Sequence, residues 1–173
     1  MLNYRMNSLT SLEAQMAIYA AYHQDARNKA THFIGVPAIA LALLIPLAWL
    51  RLGELSAAML LASALAVYYL VLDFALGVAM LVLLALLVWG AQSVAAFGPA
   101  IGWTCFAVLF VGGWILQLIG HLCEGRRPAL VDNLFQIFIA PLFLCAEVFF
   151  ALGYKPQLHT AVVQRARRLR AGT

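Results

Sequence analysis

Charge is scarce in this chain. Only 10% of its 173 residues are charged, against roughly a quarter in soluble globular domains, while 65% are hydrophobic and the mean hydropathy is +0.92. A water-facing surface cannot be made from that supply. Cysteine is scarcer still. Cys105, Cys123 and Cys145 form no C-x-x-C pair and sit in or beside apolar runs. That excludes a disulfide framework or a thiolate metal site and leaves them as small packing residues. No flavin, nicotinamide or iron–sulfur motif is present. No basic–aromatic surface accompanies the +4 net charge, so nucleic acid is not an expected partner. A compact signal-peptide core is also missing, because Arg5, Glu13, Asp25, Arg27 and Lys29 interrupt the first thirty residues. The N-terminus is therefore expected to be retained.

What is present is a series of long, continuous apolar runs, which argue for helices and against the alternating pattern of a β-barrel. The expected fold is all-α, a polytopic membrane helical bundle forming a single domain over residues 1–173. Residues 1–32 read as an amphipathic N-terminal helix and site entry, 33–152 as the bundle, and 153–173 as a basic tail. Thr10-x-x-Glu13 is a capping-box pattern, and Leu9, Leu12, Met16, Tyr19 and His23 recur as one apolar stripe suited to an interfacial helix. Four spans are expected, at about 33–50 (with Pro46 a kink site), 55–72, 74–95 and 101–122. A last segment at 134–152 holds Pro141 and Glu147 and is expected to be broken, re-entrant or shallow. Lysine and arginine cluster before the first span and after the fourth, so the positive-inside rule places both on the cytoplasmic side, in a membrane of the bacterial inner type. Arg165, Arg167, Arg168 and Arg170 suit the same face and anionic lipid.

The polar residues that remain are concentrated at the ends of these runs. His23, Asn28 and His32 precede the first span, and Gln117, His121 and Glu124 close the fourth. Spacings of four and three put the second group on one helical face. His23 and His32, nine apart, lie on opposite faces of a continuous helix and meet only if the chain bends near residues 23–25. Ionisable groups near hydrocarbon are costly and point to function, although a lone interfacial histidine often only bonds a backbone carbonyl. Two clusters on one membrane face suggest a metal site that brings His32 and His121 together. Imidazole with carboxylate and no thiolate suits iron, zinc or manganese. Arg126 and Arg127 are candidates to pair with a carboxylate head group, or simple topological anchors. Three functions remain open: an Fe(II) oxygenase, a zinc-dependent lipid hydrolase, and a haem- or lipid-binding protein with His32 and His121 as axial ligands.

Two strings narrow the choice. Tyr22-His23 … Asn28-Lys29 … His32-Phe33-x-Gly35-x-Pro37 is the first. The second is Trp114-x-x-Gln117-x-Ile119-Gly120-His121-x-x-Glu124-Gly125-Arg126-x-Pro128-Ala129-Leu130, followed by Ala140-Pro141-x-Phe143 … Glu147. Together they resemble the 2-hydroxy-fatty-acid dioxygenase family, whose fungal members act in phytosphingosine breakdown. The resemblance covers about residues 15–155. It implies an Fe(2+) enzyme of lipid α-oxidation that uses dioxygen to shorten a 2-hydroxy fatty acid by one carbon. It carries the family's histidines onto His23, His32 and His121, with Glu124 next in line as ligand. Substrate contacts are then expected from Arg126, Arg127, Asn28 and Gln117. No oligomeric state is implied.

Overall fold

The computed structural model describes residues 12–125, 128 and 134–171. Its described residues form seven helices and one small hairpin. They are α1 (Leu12–Tyr22), α2 (Ala26–Trp49), β1 (Arg51–Leu52), β2 (Leu55–Ser56), α3 (Ala57–Leu72), α4 (Phe74–Ala96), α5 (Pro99–Glu124), α6 (Gln136–Ala151) and α7 (Pro156–Ala171). Thr10 and Leu9, and with them the capping box, lie outside the described residues.

Local chemistry sets the boundaries. Asp25 caps α2 by accepting from the Arg27 N–H at 2.8 Å, and Ser56 caps α3 through the Met59 N–H at 3.2 Å. Asp73 ends α3 and starts α4, accepting from the Leu76 N–H at 3.0 Å and pairing with Lys155. Burial works to raise the Asp73 carboxyl, but these partners hold it below the usual carboxylate range. Gly98 (φ 95°) turns the chain into Pro99, and Gly125 (φ 68°) ends α5 in the left-handed conformation that glycine takes without strain.

Helices α2 and α5 make the most extensive interface and run antiparallel, with the start of α2 against the end of α5. Small residues allow it. Gly35 faces Gly113 backbone to backbone, and Gly102 receives the ring of Trp49. Such close approach is how helices associate where hydrocarbon surrounds them and burial supplies little drive. Helices α3 and α4 complete the bundle. Its outer surface carries Val71, Leu86, Trp89 and Val108, all more than half exposed, as a lipid-facing surface does. Three helices, α2, α4 and α5, are long and apolar enough to cross a membrane. Helix α3, with 16 residues, spans about 24 Å at 1.5 Å per residue, short of a hydrocarbon core of about 30 Å.

Three expectations change. Helix α1 is not a bare amphipathic helix with one polar face: seven of its eleven residues are buried, and α6 and α7 pack around it. The basic tail is an ordered helix, α7, whose Val162 and Ala166 are buried over α1 and whose Arg165 pairs with Glu13 at 3.3 Å. Helix α6 is continuous through Pro141, not broken. Proline removes one backbone hydrogen bond there. Ile139, Leu142, Phe143 and Ala146, each fully buried, hold the helix in place around it. Both ends of α6 remain at one end of the bundle. Gln136 lines a cavity there, and Lys155, just past the other end, reaches Asp73. The arginines of α7 therefore lie on the same side as His32 and His121.

Candidate metal centre

The break that α1 and α2 need is where the site forms. Helix α1 stops at Tyr22, Asp25 restarts the chain as α2, and His23 lies in the turn between them. This turn reverses the nine-residue offset, so His23 faces His32 instead of opposing it. His121 arrives on the last turn of α5. Gly120 beside it lets the two helices close, because a Cβ there would overlap Thr31 Oγ1 and Asn28 Oδ1 and come within 3.2 Å of His32 Nδ1.

The three imidazoles are buried, at 2%, 2% and 6% exposure for His23, His32 and His121. Their ring centroids are 4.6 Å (His23–His32), 4.9 Å (His23–His121) and 5.1 Å (His32–His121) apart. One nitrogen from each lies within 4.8 Å of the others, and no cysteine or carboxylate joins this group among the described residues. Two nitrogens on one ion at 2.0–2.1 Å sit no more than roughly 4 Å apart, so small ring movements close the set. A porphyrin plane has no room between His32 and His121 at this separation, which removes the axial-ligand reading.

Hydrogen bonding fixes the tautomers. His23 Nδ1 lies 2.8 Å from the Tyr19 carbonyl and His32 Nδ1 2.8 Å from the Asn28 carbonyl. A carbonyl only accepts, so both Nδ1 atoms carry the proton and both Nε2 atoms present a lone pair. Those two lone pairs face each other at 3.1 Å. Burial, and next the neighbouring His32, push His23 well below the ordinary histidine range, so a second proton is a poor bridge. A divalent cation is a good one. Backbone carbonyls that orient metal-binding imidazoles through Nδ1 are the usual supporting arrangement. Tyr19 adds a ring stacked on His23, with centroids 3.9 Å apart and planes 5° from parallel.

Glu124 has another position. Its Oε2 accepts from the N–H groups of Gln24 (3.0 Å) and Asp25 (2.7 Å) and from Asn28 Nδ2 (3.3 Å), while Oε1 accepts from Arg170 at 2.5 Å. The carboxylate thus ties the α1–α2 turn, the start of α2 and the end of α7 to the last turn of α5. Asn28 is fully buried, bonded to Glu124 at one side, and its Oδ1 has no partner among the described residues. Gln117 lies four residues before His121, buried, with its amide packed over Gly35. Arg126 and Arg127 lie outside the described residues. Glu147 pairs with Lys29 at 2.7 Å, and His159 is exposed and stacks on Phe150, away from the three histidines.

An apolar cavity of about 300 Å³ starts at the three imidazoles and continues between α2, α3, α4 and α6. From His32 to Leu44, both in its wall, it follows α2 for roughly 18 Å at 1.5 Å per residue. Sequence reasoning missed Gln136, which lines the same cavity at 2% exposure; a single glutamine opening an apolar run gives no periodic signal. It also missed Arg170, because the link to Glu124 crosses 46 positions of sequence.

The arrangement can hold a cation against three buried imidazoles beside a slot shaped for an acyl chain. Comparison with known proteins identifies relatives of the chain. The chain is 33% identical over 156 residues, covering 87% of it and 86% of the relative, to the protein named 2-hydroxy-palmitic acid dioxygenase MPO1 of Saccharomyces cerevisiae. No solved structure matches it. Residues 9–152 match the family described as 2-hydroxy-palmitic acid dioxygenase Mpo1-like, and the chain belongs to that family.

Proposed function

We propose that this chain is an integral membrane dioxygenase that binds Fe(2+) through His23, His32 and His121 and shortens a 2-hydroxy fatty acid by one carbon. The observation that carries the reading is the pair of bare Nε2 atoms facing each other at 3.1 Å, at the head of an acyl-sized apolar cavity. Bound iron supplies the dioxygen chemistry, for which sites with two or more histidines and open positions are suited.

The chain's own residues do the rest. Ile39, Leu43 and Leu44 of α2 and Leu61 and Leu65 of α3 enclose the acyl chain and exclude water from its length. Gln117 lines the cavity beside His121, Asn28 lies behind His32 and holds its Nδ1 through the backbone carbonyl, and Arg126 and Arg127 follow α5 closely enough in sequence to contribute to carboxylate binding. Glu124 has the role of a positioning residue, holding the His23 turn against α5. The site end faces the cytoplasm, where the exposed Arg27, Arg167 and Arg168 side chains meet the anionic leaflet.

The test is purification followed by metal analysis and incubation with 2-hydroxypalmitate. Wild-type protein is expected to contain iron and to release a one-carbon-shorter product only when dioxygen is present. His32→Ala and His121→Ala are expected to insert and fold but to lose their iron. Zinc-loaded protein that hydrolyses lipid equally well without oxygen would overturn the reading in favour of a hydrolase. Unchanged iron in both histidine variants would remove the metal assignment.

A further inference from the structure

Two amides in the wall of the cavity have hydrogen-bonding atoms with no partner among the described residues. Gln117, on α5 one turn before His121, is 7% exposed, and its Nε2 has no partner among the described residues. Gln136, the first residue of α6, is 2% exposed, and its Oε1 has none either. Both side chains line the cavity into which the three imidazoles face. The Tyr69 hydroxyl, also in the cavity wall, is already committed, donating to the Phe138 carbonyl at 2.6 Å. Buried polar atoms without partners are rare, and each calls for an explanation such as a ligand.

The two vacancies are complementary in kind: one is a donor and the other an acceptor. A plain fatty acid presents an ionised carboxylate, which only accepts. It satisfies the Gln117 amide and leaves the Gln136 carbonyl buried and unmet. A 2-hydroxy acid adds one O–H donor on the adjacent carbon, which is the group Gln136 lacks. A site built to hydrogen-bond a hydroxyl rejects the analogue without it, because its own buried group is then left unpaired.

The geometry points to Gln136 as the residue that reads the substrate's 2-hydroxyl group by accepting its proton in a hydrogen bond, with Gln117 donating to the neighbouring carboxylate. The assignment rests on the reading of the chain as a 2-hydroxy-fatty-acid dioxygenase. It separates two duties in the cavity: the histidines hold the metal, and the amides select the acid.

The experiment measures binding without turnover. Full-length, iron-loaded protein in lipid nanodiscs is kept under argon, and palmitate, 2-hydroxypalmitate and 2-methoxypalmitate each displace a fluorescent fatty acid. Wild-type protein is expected to prefer 2-hydroxypalmitate to the other two by about tenfold, the size of one well-made hydrogen bond. Gln136→Met is expected to bring that preference down to about twofold or less, with palmitate bound at least as tightly as by wild type and iron content unchanged, and Gln117→Met to weaken both acids together. A folded, iron-loaded Gln136→Met protein that keeps the wild-type preference would overturn the assignment. So would wild-type protein that binds the methoxy acid as tightly as the hydroxy acid, a comparison that needs no variant to fold. Wild-type protein that takes up no iron or binds neither acid sinks the dioxygenase reading and this assignment with it. Normal turnover of 2-hydroxypalmitate with unaltered selectivity in Gln136→Met sinks the assignment alone.

Discussion

The two ends of the α2–α5 pair use the same device for different purposes. At the far end, Gly102 leaves room for the ring of Trp49, whose indole N–H donates to the Ala95 carbonyl at 3.1 Å, and Leu44, Ile45, Ala48, Ala58, Ala91 and Ala95 pack around it as a small, dry cluster. At the site end, Gly120 leaves room for Thr31, Asn28 and His32. Glycine closes the seam in both places. One end fills the gained space with hydrocarbon and a satisfied indole. The other fills it with a hydroxyl, a buried amide and an imidazole that faces a cavity. Burying such groups is unfavourable, so an end that does so is shaped by its ligand, not by stability alone.

The largest effect expected from this contrast comes from exchanging the glycines. In Gly120→Ala the new Cβ meets Asn28 and Thr31 and presses on His32, so under the proposed function iron and activity should be lost together. In Gly102→Ala the new Cβ meets the Trp49 ring, and the same overpacking should cost about 1–3 kcal/mol of stability while iron is kept. Metal analysis beside thermal unfolding in detergent reads both. If Gly102→Ala also empties the site, the two ends are mechanically one unit and the contrast fails.

Much of this was legible in the sequence, and the remainder was hidden for identifiable reasons. His23 and His32 were required to meet across a break at residues 23–25, and α1 ends at Tyr22. The pairing of α2 with α5 followed from charge bias and the position of His121. Glu124 was harder to read, because a carboxylate three residues after a histidine on one helical face serves equally as a ligand or as an acceptor for a neighbouring turn. Its partners, Gln24, Asp25 and Arg170, are remote in sequence. The tail read as a lipid-binding extension because arginines dominate its composition. Two small apolar residues four apart, Val162 and Ala166, are enough to seat it on α1. Gln136 had no pattern to announce it, and only burial without a partner does so.

Glu124 provides the intermediate effect. As an organiser of the His23 turn it would act one step away from a metal held by the three histidines, and replacing such supporting groups typically lowers metal affinity about 10–100-fold. Glu124→Gln keeps an acceptor for the Gln24 and Asp25 N–H groups but removes the charge that Arg170 meets, so iron should bind at the weak end of that loss. Arg170→Met should resemble it, because it breaks the same contact from the other side. Complete loss of iron in Glu124→Gln with normal iron in Arg170→Met would instead make the carboxylate a direct ligand, returning it to the set that the sequence motif suggests.

The smallest effect belongs to the dry end. Trp49→Phe removes the indole N–H but leaves a ring to fill the space beside Gly102. The Ala95 carbonyl is not orphaned, because the Gly98 N–H still donates to it at 3.2 Å. The loss is therefore one of two hydrogen bonds to a single acceptor plus a little packing, about 0.5–1.5 kcal/mol, or a few degrees in Tm for a chain of this length. Iron content, selectivity between hydroxylated and plain acids, and turnover should all match wild type. A change in any of them would mean that the far end of the seam sets the geometry of the near one, through α2 or α5 acting as a rigid lever. In that case Gly102 and Trp49 would belong to the site's support, not merely to its scaffold.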